Sequence, residues 1–474
     1  MVKLLKGTIL TFLLMIFCIV SCKKSNTDDG PLVTPTALPV ADVGVYTFLA
    51  AWDKDGPATS YNLYVATDTA FANPVPNYNP ATVTGTSATV SGLDSTKTYY
   101  YRLTAIHGSD TSSHSNTISI TTAGAMDDRY LYIGSEDENF YCINALTGGK
   151  VWTFTTLGDI ESSATVVNGT VYVGSTDERL YALDMLTGAK KWNSLGGAAI
   201  LTSPAYFDGY VFFASYSGNI FDVDTTYGHD TWGTARAGIP LNSAQPVQTL
   251  SSSPTVVNGI FYIGGQDHKL YALDIFTQMP VWVASTGDTI DSSPAVSNGI
   301  VYVGSSDWHL YAFNASTGDT VWIAATNDSI LSSPTVVNGI VYVGSYDNSL
   351  YAFNALTGQK IWSTATGGRI QSSPIVSNGV VYVGSFDSKL YAFNAQTGAV
   401  IWSTATGGRI QSSPVAGSNG VYVGSYDDKI YAFNPTTGAI IWSTATGNAI
   451  RMPSPVLYTF DGRVLNPGVS GDQQ

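Results

Sequence analysis

SSPTVVNGIVYVGSYDNSLYAFNALTGQKIW, residues 332–362, is one copy of a unit that recurs along the chain. Thr335-Val336-Val337 reads as a first strand. Asn338-Gly339 is a hairpin signal, because both central positions of a type I′ turn need positive φ. Ile340 to Gly344 is a second strand, with Val341 and Val343 alternating against Tyr342. Ser345 to Ser349 is a polar turn, and Leu350 to Asn354 a third strand. Thr357-Gly358 then turns the chain into a fourth strand, which carries Trp362. The apolar period is two, and β-branched and aromatic residues dominate, which argues against a helical repeat.

The Trp marks the period. It stands at Trp152, Trp192, Trp232, Trp282, Trp322, Trp362, Trp402 and Trp442, in steps of 40 residues with one step of 50. Four strands in about 40 residues is the signature of a propeller blade, so eight blades are expected over residues 126–462. Repeat three is degraded: Ala214 replaces the usual Gly and Ser217 the turn Asp. An insertion around Ala235 to Leu250 separates it from repeat four. The first repeat opens at Arg129-Tyr130-Leu131, without a first strand. Ser454-Pro455-Val456-Leu457 looks like the start of a repeat, and no blade follows it. The last strand is therefore expected to complete the first blade and close the ring, leaving 463–474 as a tail. Closure removes the open interface of a linear stack.

Ala182-x-Asp184-x-x-Thr187-Gly188-x-x-x-Trp192 recurs as Ala352-x-Asn354-x-x-Thr357-Gly358-x-x-x-Trp362 and in most other repeats. It resembles the tryptophan-docking motif of quinoprotein-type propellers, built from pyrroloquinoline-quinone-like repeats. The resemblance implies that the eight Trp residues pack at seams between blades. Their role is then structural, not that of a cofactor box.

Lys3 and Lys6 precede an apolar run from Ile9 to Val20, too short for a membrane span and suited to a signal peptide. The run ends Ile19-Val20-Ser21-Cys22, which resembles a bacterial lipoprotein cleavage box. That implies removal of residues 1–21 and acylation of Cys22. Residues 22–39 then read as a Pro-rich tether. Cys18 would leave with the signal, so Cys142 stands without an internal partner and reads as a small buried apolar residue. The acidic pair Asp28-Asp29 is offset by Lys23-Lys24, so the side of the membrane that the protein faces stays open.

Residues 40–123 lack the Trp repeat. Strand-like runs are Tyr46 to Trp52, Tyr61 to Ala66, Ser87 to Val90, Tyr99 to His107 and Thr117 to Thr122. With Trp52, Tyr61 and Leu93 six residues before Tyr99, the segment resembles a fibronectin type III β-sandwich. The resemblance implies that Tyr99 is the corner tyrosine, its hydroxyl bonded to backbone. These are framework residues and suit a spacer.

Charged residues are only 12% of the chain, so its surface must be rich in Ser, Thr, Asn and Gly. Net charge is −14, which argues against nucleic-acid binding. Quinoprotein dehydrogenases resembling the ring use a quinone, a calcium ion with Glu and Asn ligands, a catalytic Asp and often a vicinal disulfide. No Cys-Cys pair exists, and residues 363–374 repeat exactly as 403–414. A one-sided catalytic site is hard to place on such loops. No phosphate loop or nucleophile elbow is present. The expectation is a non-enzyme, with no cofactor and no metal. His268 and His309 read as turn residues.

Strand alternation sorts the turns onto two faces. One face carries a recurring turn Asp: Asp137, Asp177, Asp267, Asp307, Asp347, Asp387 and Asp427. An Asx-type turn bond explains it. The same face carries Trp308, Tyr346, Phe386 and Tyr426, with Arg369 and Arg409 in the loops beside them. Exposed aromatics with Arg are what interfaces enrich, so these six residues form the expected binding face. The architecture resembles the propeller lipoprotein of outer-membrane β-barrel assembly. That implies an outer-membrane, lipid-anchored scaffold with an envelope protein as partner. A glycan-binding lipoprotein is the alternative, and a quinone-dependent dehydrogenase the second alternative.

Overall fold

Alternating apolar and polar residues produce β-structure throughout the residues that the computed structural model describes, 32–38, 47–54, 56–94, 97–122, 128–230, 250, 252–459 and 464–465. Every regular element among them is a strand. The chain divides into two units, Met1–Ala125 and Met126–Gln474. Cys22 and Trp232 lie outside the described residues.

In the first unit Thr47–Ala51 pairs with Ser87–Ser91. A second sheet runs Ala81–Val83, Ser60–Ala66, Thr98–His107 and Asp110–Thr111, and Ile118–Thr121 also pairs with Thr98–His107. Ala81–Val83 and Asp110–Thr111 are short strands that carry no periodicity to read. The core gathers Phe48, Trp52, Tyr61, Leu63, Tyr101 and Leu103. The Tyr99 hydroxyl accepts the Asp94 backbone N–H at 2.7 Å.

In the second unit the repeats form eight antiparallel sheets among the described residues, counted here along the chain. The sixth is typical: Thr335–Val337, Ile340–Gly344, Ser349–Asn354 and Lys360–Ala365. Asn338 and Gly339 sit at φ 50° and 75°, the geometry that the hairpin requires. Gly344 has a different reason to be Gly. A Cβ there would collide with Ile370, which is fully buried in the loop that leaves the sheet. The third sheet shows three strands among the described residues and has Ala214 at this position.

Three sets of contacts join neighbouring sheets among the described residues. First, the Trp indole N–H donates across the seam: Trp322 to the Ala355 carbonyl at 2.9 Å, Trp362 to Ala395 at 3.0 Å. Trp152, Trp192, Trp282 and Trp402 donate likewise to Met185, Thr225, Ala315 and Pro435. Second, the Gly of Thr-Gly receives the ring. Gly358 is at φ 68°, and a Cβ there would stand 2.7 Å from Trp322 Cδ2. Third, eight serines form a closed hydrogen-bonded circle. Each backbone N–H of Ser163, Ser203, Ser253, Ser293, Ser333, Ser373 and Ser413 donates to the Oγ of the next, ending on Ser454, at 2.8 to 3.2 Å. Ser454 donates back to Ser163 at 2.9 Å.

The two ends of the repeat region meet as the pattern requires. Val456–Thr459 pairs with Asp128–Gly134, register Val456 to Tyr132 and Leu457 to Leu131. Trp442 donates to the Ala145 carbonyl at 2.9 Å, which joins the eighth sheet to the first. The pairing continues beyond the expected end at 462: Val464–Leu465 adds a fifth strand beside Leu457 and Tyr458. This pair is too short to show a period, so it reads as tail in the sequence.

Candidate interaction face

The turns between second and third strands are built around their Asp. In Asp387, Oδ1 accepts the Lys389 N–H at 3.1 Å, while Oδ2 accepts the Tyr391 hydroxyl and, at 2.9 Å, the Gly367 N–H of the preceding loop. Asp137, Asp307 and Asp347 repeat this pattern. In these four turns the Asp is thus both an Asx turn and a staple between sheets. Burial, then the bond to Asp, pushes the hydroxyls of Tyr311, Tyr391 and Tyr431 up to about 12.

This has an alkaline consequence. The folded values lie above the ordinary tyrosine value of about 10. The stability that these hydroxyls contribute is therefore complete below about pH 10 and is lost as pH rises toward the folded values. A spectrophotometric titration should show exposed tyrosines ionising first. A second, cooperative rise should follow near pH 12, together with loss of sheet circular dichroism. One smooth rise around pH 10 with the sheets intact would contradict the bonding.

The aromatics and arginines of this face meet in a row over sheets six to eight. The Arg369 guanidinium lies 4.9 Å from the Tyr346 ring centroid. Arg409 lies 5.6 Å from Phe386, and Arg451 lies 5.5 Å from Tyr426. Tyr346 and Phe386 approach to 6.3 Å, their planes tilted by 52°. Backbone bonds set this placement: the N–H of Phe386 donates to the Arg369 carbonyl, and that of Tyr426 to the Arg409 carbonyl. Tyr346 donates its hydroxyl to Gln371 Oε1 at 2.6 Å, and Tyr426 donates to Gln411 Oε1.

At the end of the row Arg451 pairs with Glu136 of the first sheet at 2.8 Å. The Glu136 side chain is only 7% exposed. Burial pushes its carboxyl above the usual range; Arg451 opposes this, while Glu161, Asp159 and Asp428 add to it. Burial, then Asp159, likewise raises Glu161. One side of the face is therefore cationic and the flanking side acidic.

The structure corrects two expectations. Tyr346, Phe386 and Tyr426 are half-buried, because the Arg of the next loop lies over each ring. Trp308 stands apart from the row. It occupies the turn position two residues further on, at φ 74°, and is 52% exposed. Gln371, Gln411 and Glu136, the partner of Arg451, join the site unannounced. The glutamines were visible as part of the exact duplicate of 363–374 at 403–414. His268 lies 3.5 Å from Asp288, and His309 bonds to Asp307. Among the described residues no group of three or more His, Cys, Asp or Glu gathers as a metal site. Cys142 is buried, and burial pushes its thiol up to about 12.

The profile of the family described as outer membrane protein assembly factor BamB, made of PQQ-like repeats, matches residues 101–324, 279–371 and 360–466. These overlapping matches span most of the chain. The chain belongs to this family. Among solved structures it is similar to BamB from Moraxella catarrhalis, at 23% identity over 66% of this chain and 90% of that one, with a TM-score of 0.51. It is similar to the computationally designed Ika8 protein at 17% identity, over 64% and 94%, TM-score 0.52. A europium-containing methanol dehydrogenase matches at 13% identity, over 64% and 80%, TM-score 0.50. At these identities the shared property is the fold. No protein of curated function matches in sequence.

Proposed function

We propose that the chain is a non-enzymatic cell-envelope lipoprotein, held at the outer membrane by acylated Cys22, whose second unit binds a protein partner. In this reading the second unit is an eight-bladed propeller closed by its C-terminal strand. The first unit is a fibronectin type III-like spacer, a reading supported by the Tyr99–Asp94 bond and the edge contact of Trp52 with Tyr61, 5.3 Å between centroids. The observation that carries the functional reading is the row of Tyr346, Phe386 and Tyr426 capped by arginines on one face. It stands on short, near-identical loops, which offer repeated contacts rather than one reaction centre. Membership of the assembly-factor family supports a scaffold over an enzyme. Affinity purification from the native envelope tests it. The wild type should retain a partner that Tyr346→Ala/Phe386→Ala loses, while circular dichroism stays that of the folded sheets. Equal capture by both would move the site elsewhere.

The anchor is tested separately. No helix of the described residues is long and apolar enough to cross a membrane. In this reading attachment rests on the lipid of Cys22, at about 0.8 kcal/mol per buried CH₂ of acyl chain. Cys22→Ser should move the protein from the membrane pellet into the soluble fraction. Sedimentation with membranes after a high-salt wash would sink the lipoprotein reading.

A further inference from the structure

Resting on that protein-binding reading, we propose that sheets six to eight present a site for a short, extended acidic peptide segment, its carboxylates held by Arg369 and Arg409. The chain is rich in acids, with 35 Asp and Glu against 21 Lys and Arg. Arg451 uses that excess and pairs with Glu136. Arg369 and Arg409 do not: among the described residues neither forms an ion pair, and each instead lies over an aromatic ring. Both residues are exposed, and their N–H forks, without a carboxylate partner, match one bidentately.

The neighbouring groups point to the same ligand. Gln371 and Gln411 spend their carbonyl oxygens on the hydroxyls of Tyr346 and Tyr426, which leaves their amide N–H groups as donors. Arg and Gln together make a donor-rich patch, complementary to carboxylates and peptide carbonyls. The exact repeat of 363–374 at 403–414 supplies this set twice on adjacent sheets, suiting a ligand with repeated carboxylates. A sugar platform fits less well, since the rings carry guanidiniums and neighbouring planes are tilted by 52°. The site is bounded. Asp291 and Asp328 act on Tyr346 from one side, and Glu136 and Glu161 on Tyr426 from the other. They repel an acidic run that extends past the row.

The test uses the full chain carrying Cys22→Ser and a fluorescent decapeptide of alternating Glu and Ser, with a Gln-for-Glu control, read by anisotropy. The Glu peptide should bind and weaken with added salt. Arg369→Gln and Arg409→Gln should each weaken it roughly tenfold, as expected for a charge-assisted bond. Arg369→Lys, which keeps the charge and loses the fork, should fall between. Circular dichroism and melting should stay at wild type, which separates binding from folding. Equal binding of the Gln peptide, or wild-type affinity in both Gln variants, overturns the proposal. So does tighter binding of alginate or phosphatidylglycerol vesicles through the same arginines. Envelope capture separates the two readings. A partner lost by Tyr346→Ala/Phe386→Ala but kept by the two Arg→Gln variants overturns the acidic-segment inference alone. A partner kept by all of them overturns both.

Discussion

A chain ending at Arg451 will be severely destabilised or will aggregate. Truncation there removes Val456–Thr459, the strand that completes the first sheet. Strand alternation gives its two central residues different tasks. Val456 packs with Tyr132, Ile160 and Val166, and Leu457 with Leu131, Val415 and Tyr422. One short strand thus bonds the first sheet to both of its neighbours. Both side chains are fully buried, each contributing about 1.5–3 kcal/mol. Losing Ser454 also opens the serine circle. The edge of Asp128–Gly134 becomes unpaired, an aggregation hazard. Deleting 452–474 should lower the melting temperature on the order of 10 °C or more. A synthetic peptide of residues 452–465 added in trans should recover part of it. Melting unchanged by the deletion would mean that these contacts do not hold the molecule together.

That strand was readable because it carries the same Ser-Pro opening as most other repeats. The Asn-Gly hairpins were readable for a similar reason: the turn needs positive φ at both positions, and Asn338-Gly339 supplies it. What escaped depends on residues distant in sequence. Gly344 reads only as the end of a strand until Ile370 is found against its backbone. Ser-Ser reads as loop polarity, yet Ser333 bonds Ser373 one repeat away. Arg451 meets Glu136 only because the ends of the unit come together. Trp308 was grouped with Tyr346 by composition, and a shift of two turn positions parts them. The periodic part of the sequence encodes the scaffold. The face is written in departures from the period, which no repeat pattern ranks.

The second large effect is expected at a seam. Trp322→Ala removes an almost fully buried indole and its 2.9 Å bond to the Ala355 carbonyl. A cost of about 3–5 kcal/mol is expected for such a cavity. Gly358→Ala acts on the same contact from the other side. Its φ of 68° strains any L-residue, and the new methyl would stand 2.7 Å from Trp322 Cδ2. The backbone strain alone is worth on the order of 1–3 kcal/mol. The clash adds to it, since ring and backbone are both held. The double variant separates these parts. With the indole gone, the methyl meets open space, so the clash disappears and only the φ strain remains. The two substitutions should therefore cost less together than the sum of each alone, by about 0.5–3 kcal/mol in a double-mutant cycle. Equilibrium denaturation of the four proteins measures it. Strict additivity would mean that Gly358 is needed only for its turn. Coupling of the expected sign would mean that the Thr-Gly step and the Trp of the preceding repeat work as one joint. That would explain why Gly and Trp keep a fixed spacing in almost every repeat, and why the fourth repeat, with Gln278 in place of Gly, is a natural control.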